Sequence, residues 1–317
     1  MTAPTVDIIC AARNAGAFLD DALASVQAQT HAAWRLWIRD DGSTDDTAAR
    51  AAAWASRDAR IRVLHTGGPS LGAARGFGWL LAHLPSSADW VACLDADDTW
   101  HIDRLAATLR AGTVVEAAAT PLLIHTDCTL VDADGRSLAP SYWAAAGLRP
   151  EPLTVRRLAV QNVATGSTLL LNRALVEAIG EVPAEAMHQD WWFTLVAAVT
   201  GRVIALDQPL VQYRQHATNT AGATAGRIRG LRDAWRRTTA AGDGTDRLRD
   251  DLRRVSRQTG ALLDRYGERI AASDTRALEE IRRLPDLPFM ARKRALWRHR
   301  LLPEHGIVRN LGVLVRG

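Results

Sequence analysis

Short apolar runs alternate with stretches of helical periodicity over the first hundred residues. Val6–Cys10 is a strand-like run, and after a turn-like Arg13-Asn14-Ala15-Gly16 the apolar residues Phe18, Leu19, Ala22, Leu23 and Val26 recur at helical spacing. Trp34–Ile38 predicts a second strand that ends at Asp40-Asp41-Gly42-Ser43. Ser43 with Asp46 three residues later has the spacing of a capping box, which predicts an Ala-rich helix from about Thr44 to Trp54. Ile61–Leu64 reads as a third strand, residues 71–84 as a third helix, and Trp90–Leu94 as a fourth strand. Strands separated by helices imply a parallel sheet covered on both faces.

Beyond residue 100 the pattern loosens. Leu122–Leu130 predicts a strand, and Asp132-Ala133-Asp134-Gly135 a turn that folds it into a hairpin. Residues 166–171 and 202–206 are further strand candidates, and Asp190–Thr200 is an apolar helix closed by Gly201. From Ala225 onward the chain reads as helical. Leu248, Leu252, Val255, Leu262, Leu263 and Tyr266 form one stripe; Ala277, Leu278, Ile281 and Leu284 form another behind Ser273 as a candidate cap. A basic-aromatic helix is expected at 290–301, after Pro285 and Pro288.

Composition narrows the class. At 317 residues, 47% hydrophobic and 23% charged, the chain is globular, and no apolar run reaches the ~18 residues a spanning helix needs. The first residues lack a basic stretch followed by an apolar one, which argues against a secretory signal and for a cytoplasmic protein. Cys10, Cys93 and Cys128 are an odd number without metal-ligand spacing, as suits a reducing compartment. Charge is split: residues 226–317 hold 22 basic and 12 acidic residues, whereas residues 1–225 hold 17 and 23. A basic helical region behind an acidic body suggests a peripheral contact with an anionic membrane face or a homodimer, the plainer alternative being a solvated helical surface. Nucleic acid is not expected, since no binding motif accompanies the charge.

Three clusters carry chemistry. Leu94-Asp95-Ala96-Asp97-Asp98 crowds three carboxylates at a strand end, where like charges repel unless a counter-charge intervenes. A divalent cation, Mn²⁺ or Mg²⁺, suits hard oxygen ligands there; an acidic turn capping a helix from about Ile102 is the alternative. Asp40-Asp41-Gly42-Ser43 also follows a strand, and an Asp in it is able to accept hydrogen bonds from a nucleobase or ribose. Gly72-Ala73-Ala74-Arg75-Gly76 is no dinucleotide fingerprint, but Arg75 is a candidate partner for the acidic cluster.

In this order the clusters resemble family 2 glycosyltransferases, inverting enzymes of the GT-A fold. The matching residues are Ile9-Cys10-Ala11-Ala12-Arg13-Asn14, the Asp-Asp-Gly-Ser-x-Asp run, Ala74-Arg75, and the Asp-x-Asp motif Asp95-Ala96-Asp97; Gly76 replaces the family's usual Asn. Downstream, Asn162–Thr168, His188-Gln189-Asp190-Trp191-Trp192 and Tyr213-Arg214-Gln215-His216-x-x-Asn219 resemble rhamnosyltransferase-like bacterial members, with Gln189 interrupting the usual His-Asp-Trp-Trp.

The resemblance implies a mixed, Rossmann-like α/β sheet flanked by helices. It implies a catalytic domain over about 1–222, with a nucleotide-binding half at about 5–110, an acceptor half at about 111–222, and a basic helical region over 223–317. The function implied is metal-dependent transfer of a hexosyl-type sugar from a nucleotide-sugar to a saccharide, lipid-linked or small-molecule acceptor. Ala12, Arg13, Asn14, Asp41, Ser43, Arg75, Asp95 and Ala96 would contact the nucleotide, and Asp97 and His216 the metal. Asp190 would be the base, with Thr165, Gly166, Trp191, Trp192 and Arg214 at the sugars. Asp190 opens a helix, whose N-terminal dipole favours the ionised carboxylate. A nucleotidyltransferase would open with a longer Gly-rich basic loop; the alternative of another class is a non-catalytic sugar-nucleotide-binding or scaffold protein.

Overall fold

A computed structural model describes residues 3–64, 69–85, 89–114, 119–216 and 243–298. The first half alternates β1 (Val6–Ala12), α1 (Leu19–Gln27), β2 (Trp34–Asp40), α2 (Thr47–Arg57), β3 (Ile61–Leu64), α3 (Ala73–Ala82) and β4 (Trp90–Cys93). The second adds β5 (Thr99–Trp100), α4 (Arg104–Val114), β6 (Leu122–Asp132), β7 (Ser137–Ala139), α5 (Tyr142–Ala146), α6 (Val155–Val160), β8 (Leu170–Asn172), α7 (Arg173–Ile179), α8 (Gln189–Thr200) and β9 (Arg202–Gln215). Three helices follow: α9 (Asp243–Tyr266), α10 (Ala272–Arg283) and α11 (Phe289–Arg298).

The strands form one mixed sheet in the order β3-β2-β1-β4-β8-β6-β9-β5, with β7 paired to β6. β1, β2, β3 and β4 run parallel, whereas β8 is antiparallel to both β4 and β6. This is the α/β architecture the alternation predicts. The strand order reverses at β1, since β2 lies on one side and β4 on the other. In open α/β sheets such a switch point leaves a crevice at the carboxyl ends of the strands.

Side-chain alternation sorts the core into two layers. Ile8, Cys10, Leu36, Ile38, Ala92 and Leu94 pack with Leu19, Leu23, Ala51, Leu105 and Leu109 from α1, α2 and α4 on one face. Ile9, Trp37, Val91, Cys93, Leu123 and Leu171 pack on the other with Phe77, Leu80, Leu175, Trp192 and Phe193. Leu262 and Leu263 of α9 and Leu278 and Ile281 of α10 join that second layer, so both predicted C-terminal stripes pack on the sheet domain. Among the described residues no helix is long and apolar enough to cross a membrane.

Several elements depart from expectation. The Ser43–Asp46 capping box does not form: Ser43 Oγ accepts from the Asn14 amide, and α2 begins only at Thr47. Ser43–Asp46 are spent on a turn that braces the loop after β1, with Asp45 accepting from the Gly16 amide and from Thr47. Residues 166–171 are not one strand; Gly166–Thr168 is a 3-10 turn and β8 covers only Leu170–Asn172. β9 runs well past 206, because register shifts opposite Thr126–Cys128 let the pairing with β6 absorb Pro209 and continue to Gln215. Ser273 is no cap, since α10 starts at Ala272 and Ala271 precedes it. The predicted hairpin forms, Gly135 turning with φ of 80°. Gly201 closes α8 because any Cβ there would sit 1.9 Å from the Pro121 carbonyl oxygen. Asn219, the side chain of Leu248 and residues 299–301 lie outside the described residues.

Candidate active site

The crevice at the switch point is built first from the ends of β1 and β2. Ala12 is buried and its carbonyl accepts from the Asp41 amide, which keeps the two strands together to their last residue. Asn14 adopts a φ of 50°, and its Oδ1 accepts from the Thr44 amide at 2.8 Å. The Arg13-Asn14 and Ser43-Thr44 turns are therefore one laced rim. Gly42 has a φ of +76°, and a Cβ there would meet only Ser70 N at an ordinary 3.9 Å, so backbone conformation rather than space requires glycine.

Asp41 is committed to the protein. Its oxygens accept from the Arg39 guanidinium, the Ser70 hydroxyl and the amides of Leu71 and Gly72. Burial acts to raise its pKa, but those hydrogen bonds hold it below the usual carboxylate range. Ser70 also accepts from Arg13 Nη1 at 3.1 Å, which ties the 70–72 segment across the rim.

The acidic cluster lies on the other side of the crevice, where β4 ends. Ala96 and Asp98 are buried, Asp95 and Asp97 half-buried. Asp98 Oδ1 accepts from the Arg214 amide, and β5 pairs with β9 through Thr99–Gln212 and Trp100–Val211. This clasp carries the end of β9 to the acidic loop. His216 Nε2 consequently stands 2.9 Å from Asp97 Oδ2, its ring stacked on Phe18.

Burial, then the charges of Asp97 and Asp190, pushes Asp95 up to about 8; burial and its acidic neighbours raise Asp98 too. The cluster is short of positive charge. Asp97 and His216 are hydrogen-bonded directly to one another; parted from that contact, their oxygen and nitrogen would be a donor pair for Mn²⁺ or Mg²⁺, with substrate phosphate oxygens completing the shell. Among the described residues no group of three or more His, Cys, Asp or Glu side chains is placed to hold a metal ion.

Asp190 sits in the first turn of α8 and reaches back into the crevice. Burial raises its pKa, against the opposing influence of His188, the Trp191 and Gly166 amides and Asn162. The helix terminus was expected to favour the ionised form; desolvation outweighs it. Gly166 fits between the acids: a Cβ there would lie 3.1 Å from Asp95 Oδ2 and 3.0 Å from Gln189 Nε2. Asp95, Gly166 and Asp190 thus share one wall.

Known proteins resemble this chain in sequence and in fold. Residues 7–112 match the family model described as Glycosyl transferase family 2. The chain carries a family 2 glycosyltransferase domain. The Bacillus subtilis (strain 168) protein named teichuronic acid biosynthesis glycosyltransferase TuaG is 35% identical over 102 residues, 32% of this chain and 39% of that relative. The match therefore spans about two-fifths of TuaG. S. aureus TarS 1-349, solved with UDP-GlcNAc, superposes with a TM-score of 0.57 at 14% identity, covering 98% of this chain and 84% of that one. The mannosyltransferase PcManGT from Pyrobaculum calidifontis, solved with GDP-Man and Mn²⁺, gives 0.50 at 18% identity, covering 97% and 87%. At such identities these likenesses show the fold, which is that of GT-A glycosyltransferases.

In this glycosyltransferase fold several anticipated site residues turn out to be structural. Trp191 is 7% exposed with its indole N–H donated to the Leu158 carbonyl, and Trp192 is 0% exposed, beside Tyr266. Neither indole is free to stack on a sugar, because both are packed into the core. Arg214 does not present its guanidinium to a phosphate: Nε donates to the Asp97 carbonyl, Nη1 to the Ala133 carbonyl and Nη2 to Asp21. It rigidifies the acidic loop instead. Arg75 is exposed on α3 and forms no ion pair among the described residues, so it does not neutralise the acids. Thr165 is half-buried, its carbonyl accepting from Thr168, while Arg13, Asn14 and Ser43 line the rim.

Sequence reasoning missed Ser167, Asn162 and Gln258. Ser167 is fully buried and its Oγ accepts from the Trp100 indole and the Asp95 amide. Asn162 opens the quoted Asn162–Thr168 run, but only the fold aims it at Asp190. Gln258 lies in a helix whose stripe reads as purely apolar.

Proposed function

We propose that this protein is a metal-dependent inverting glycosyltransferase that moves a sugar from a nucleoside-diphosphate sugar to an acceptor hydroxyl in cell-wall or surface polysaccharide assembly. The observation that carries the reading is the shared wall of Asp95, Gly166 and Asp190, opposite the laced rim of Arg13-Asn14 and Ser43. It puts a carboxylate with raised basicity beside an acidic cluster suited to a cation. The names of TuaG and of the UDP-GlcNAc and GDP-Man complexes support a nucleotide-sugar donor and a wall-polymer acceptor.

Each group has a task. The rim and the 70–72 segment that Asp41 holds receive the nucleoside, and Asp95 and Ala96 its ribose and diphosphate. Asp97 and His216 hold Mn²⁺ or Mg²⁺, which when bound supplies Lewis-acid stabilisation of the departing nucleoside diphosphate. Asp190 takes the proton from the acceptor hydroxyl, in line behind the anomeric carbon, and inversion follows from that single displacement. Its buried surroundings strengthen it as a base once ionised. The reaction belongs in the cytoplasm, with the basic C-terminal region meeting an anionic membrane face or a second copy.

The test is a screen of nucleotide-sugars by thermal shift with Mn²⁺, followed by a transfer assay. A donor at 100 times its Kd stabilises by roughly 2.7 kcal/mol. Asp190→Asn should lower kcat by about 10²–10⁴-fold with nucleoside diphosphate affinity intact. Donor binding without turnover in the unmutated chain would favour the non-catalytic sugar-nucleotide-binding alternative.

A further inference from the structure

The helix that bears Asp190 begins without a cap of its own. His188 occupies the N-cap position of α8 and its side chain caps no amide; within the first turn Asp190 Oδ1 accepts from the Trp191 amide. The entry to α8 is held from outside, by α9. Gln258 of α9 is 0% exposed, and its Oε1 accepts from the Met187 amide at 2.8 Å. Because an amide N–H can only donate, this bond fixes which end of the Gln258 carboxamide faces the loop. Its Nε2 is buried with no hydrogen-bond partner among the described residues.

Two further bonds run from α9, one to the last turn of α7 and one to the start of the connection. Tyr266 Oη donates to the Ala178 carbonyl at 2.8 Å and Arg265 Nη1 to the Glu181 carbonyl at 2.6 Å. Helix α9 therefore holds the segment between α7 and α8 near its start, through Arg265, and near its end, through Gln258. Gln258 grips it three residues before Asp190.

We propose that Gln258 is a positioning residue, through which the C-terminal region fixes the path into α8 and hence the Asp190 carboxylate. The inference rests on Asp190 being the base. Small displacements of a reacting group are costly, of the order of 10²-fold for about 1 Å, whereas the rim that receives the nucleoside is built on the ends of β1 and β2 and not on α8.

The experiment uses the full chain. Gln258→Met keeps length and removes the acceptor; Gln258→Glu restores an acceptor oxygen; Tyr266→Phe removes a bond of the same helix farther from Asp190. The readouts are kcat with the donor found in the screen, Kd for UDP with Mn²⁺, and hydrogen exchange of the Met187 amide. Gln258→Met should lower kcat by about 10–10²-fold with UDP affinity within about twofold, Gln258→Glu should recover most of it, and Tyr266→Phe should leave kcat unchanged. Wild-type kcat in Gln258→Met, or equal losses in Gln258→Met and Tyr266→Phe, overturns the inference. If Gln258→Met does not fold, the unmutated chain decides: Met187 must exchange much more slowly than the amides of Glu181, Val182, Ala184 and Glu185, and equal rates overturn the inference. Asp190→Asn is measured alongside. Wild-type kcat there removes the base reading, while Met187 exchange still reports whether Gln258 holds the loop.

Discussion

The imidazole Nε2 of His216 stands 2.9 Å from Oδ2 of Asp97, which lies 119 residues earlier in the chain. The pairing of β5 with β9 and the stacking of His216 on Phe18 bring them together. If both hold one cation, His216→Ala should raise the Mn²⁺ concentration for half-activation by about 10–100-fold, and Asp97→Asn by more. Metal titration of donor turnover measures this. Identical activation curves for wild type and His216→Ala would remove His216 from the site.

Because burial raises the Asp190 pKa, the acid limb of the kcat–pH profile should lie above the ordinary carboxylate range. Activity is lost as pH falls through that raised value, since the protonated acid cannot accept the acceptor's proton. Asp190→Asn should flatten the limb as well as lower the rate. A limb that persists in Asp190→Asn assigns it to another group.

The tryptophans of α8 should matter for folding and not for sugar contact. Trp192→Ala removes a fully buried indole and should cost about 3–5 kcal/mol of stability. Trp191→Phe loses the bond to the Leu158 carbonyl, a cost of about 1 kcal/mol. Acceptor KM should be unchanged in Trp191→Phe. A large rise in KM would return Trp191 to the acceptor site.

His125 is fully buried against Trp143, neither ring nitrogen has a partner, and burial lowers its pKa from 6.5 to about 3. The unfolded chain therefore binds the proton that the folded chain refuses. Stability from this group is complete above 6.5 and is lost as pH falls towards 3. Between pH 7 and 5 the loss should be about 2 kcal/mol. Denaturant melts of wild type and His125→Phe at both pH values check it: equal pH dependence would contradict the assignment.

Hydrophobic period and turn chemistry are local, and they alone marked β1, β2, β3, α1, α3, β4 and the 132–135 hairpin, together with the order of the acidic motifs. Local signals misled where a side chain had a distant partner. Ser43 and Asp46 have the spacing of a helix start, but Ser43 serves the loop after β1, and the strand expected over 202–206 continues through a register shift at Pro209. The roles of neighbouring polar residues depended on contacts between remote segments. Asp41 was drawn to the 70–72 segment, Arg214 to the back of the acidic loop, and both tryptophans of α8 to the core. The sequence by itself determined the α/β alternation, the parallel first half and the chemistry gathered at the strand ends, because those follow from residue type at fixed spacing. Tertiary structure decided which carboxylate meets which partner. Burial and hydrogen-bond geometry belong to pairs such as Asp97–His216 and Met187–Gln258, which only the folded chain brings within reach.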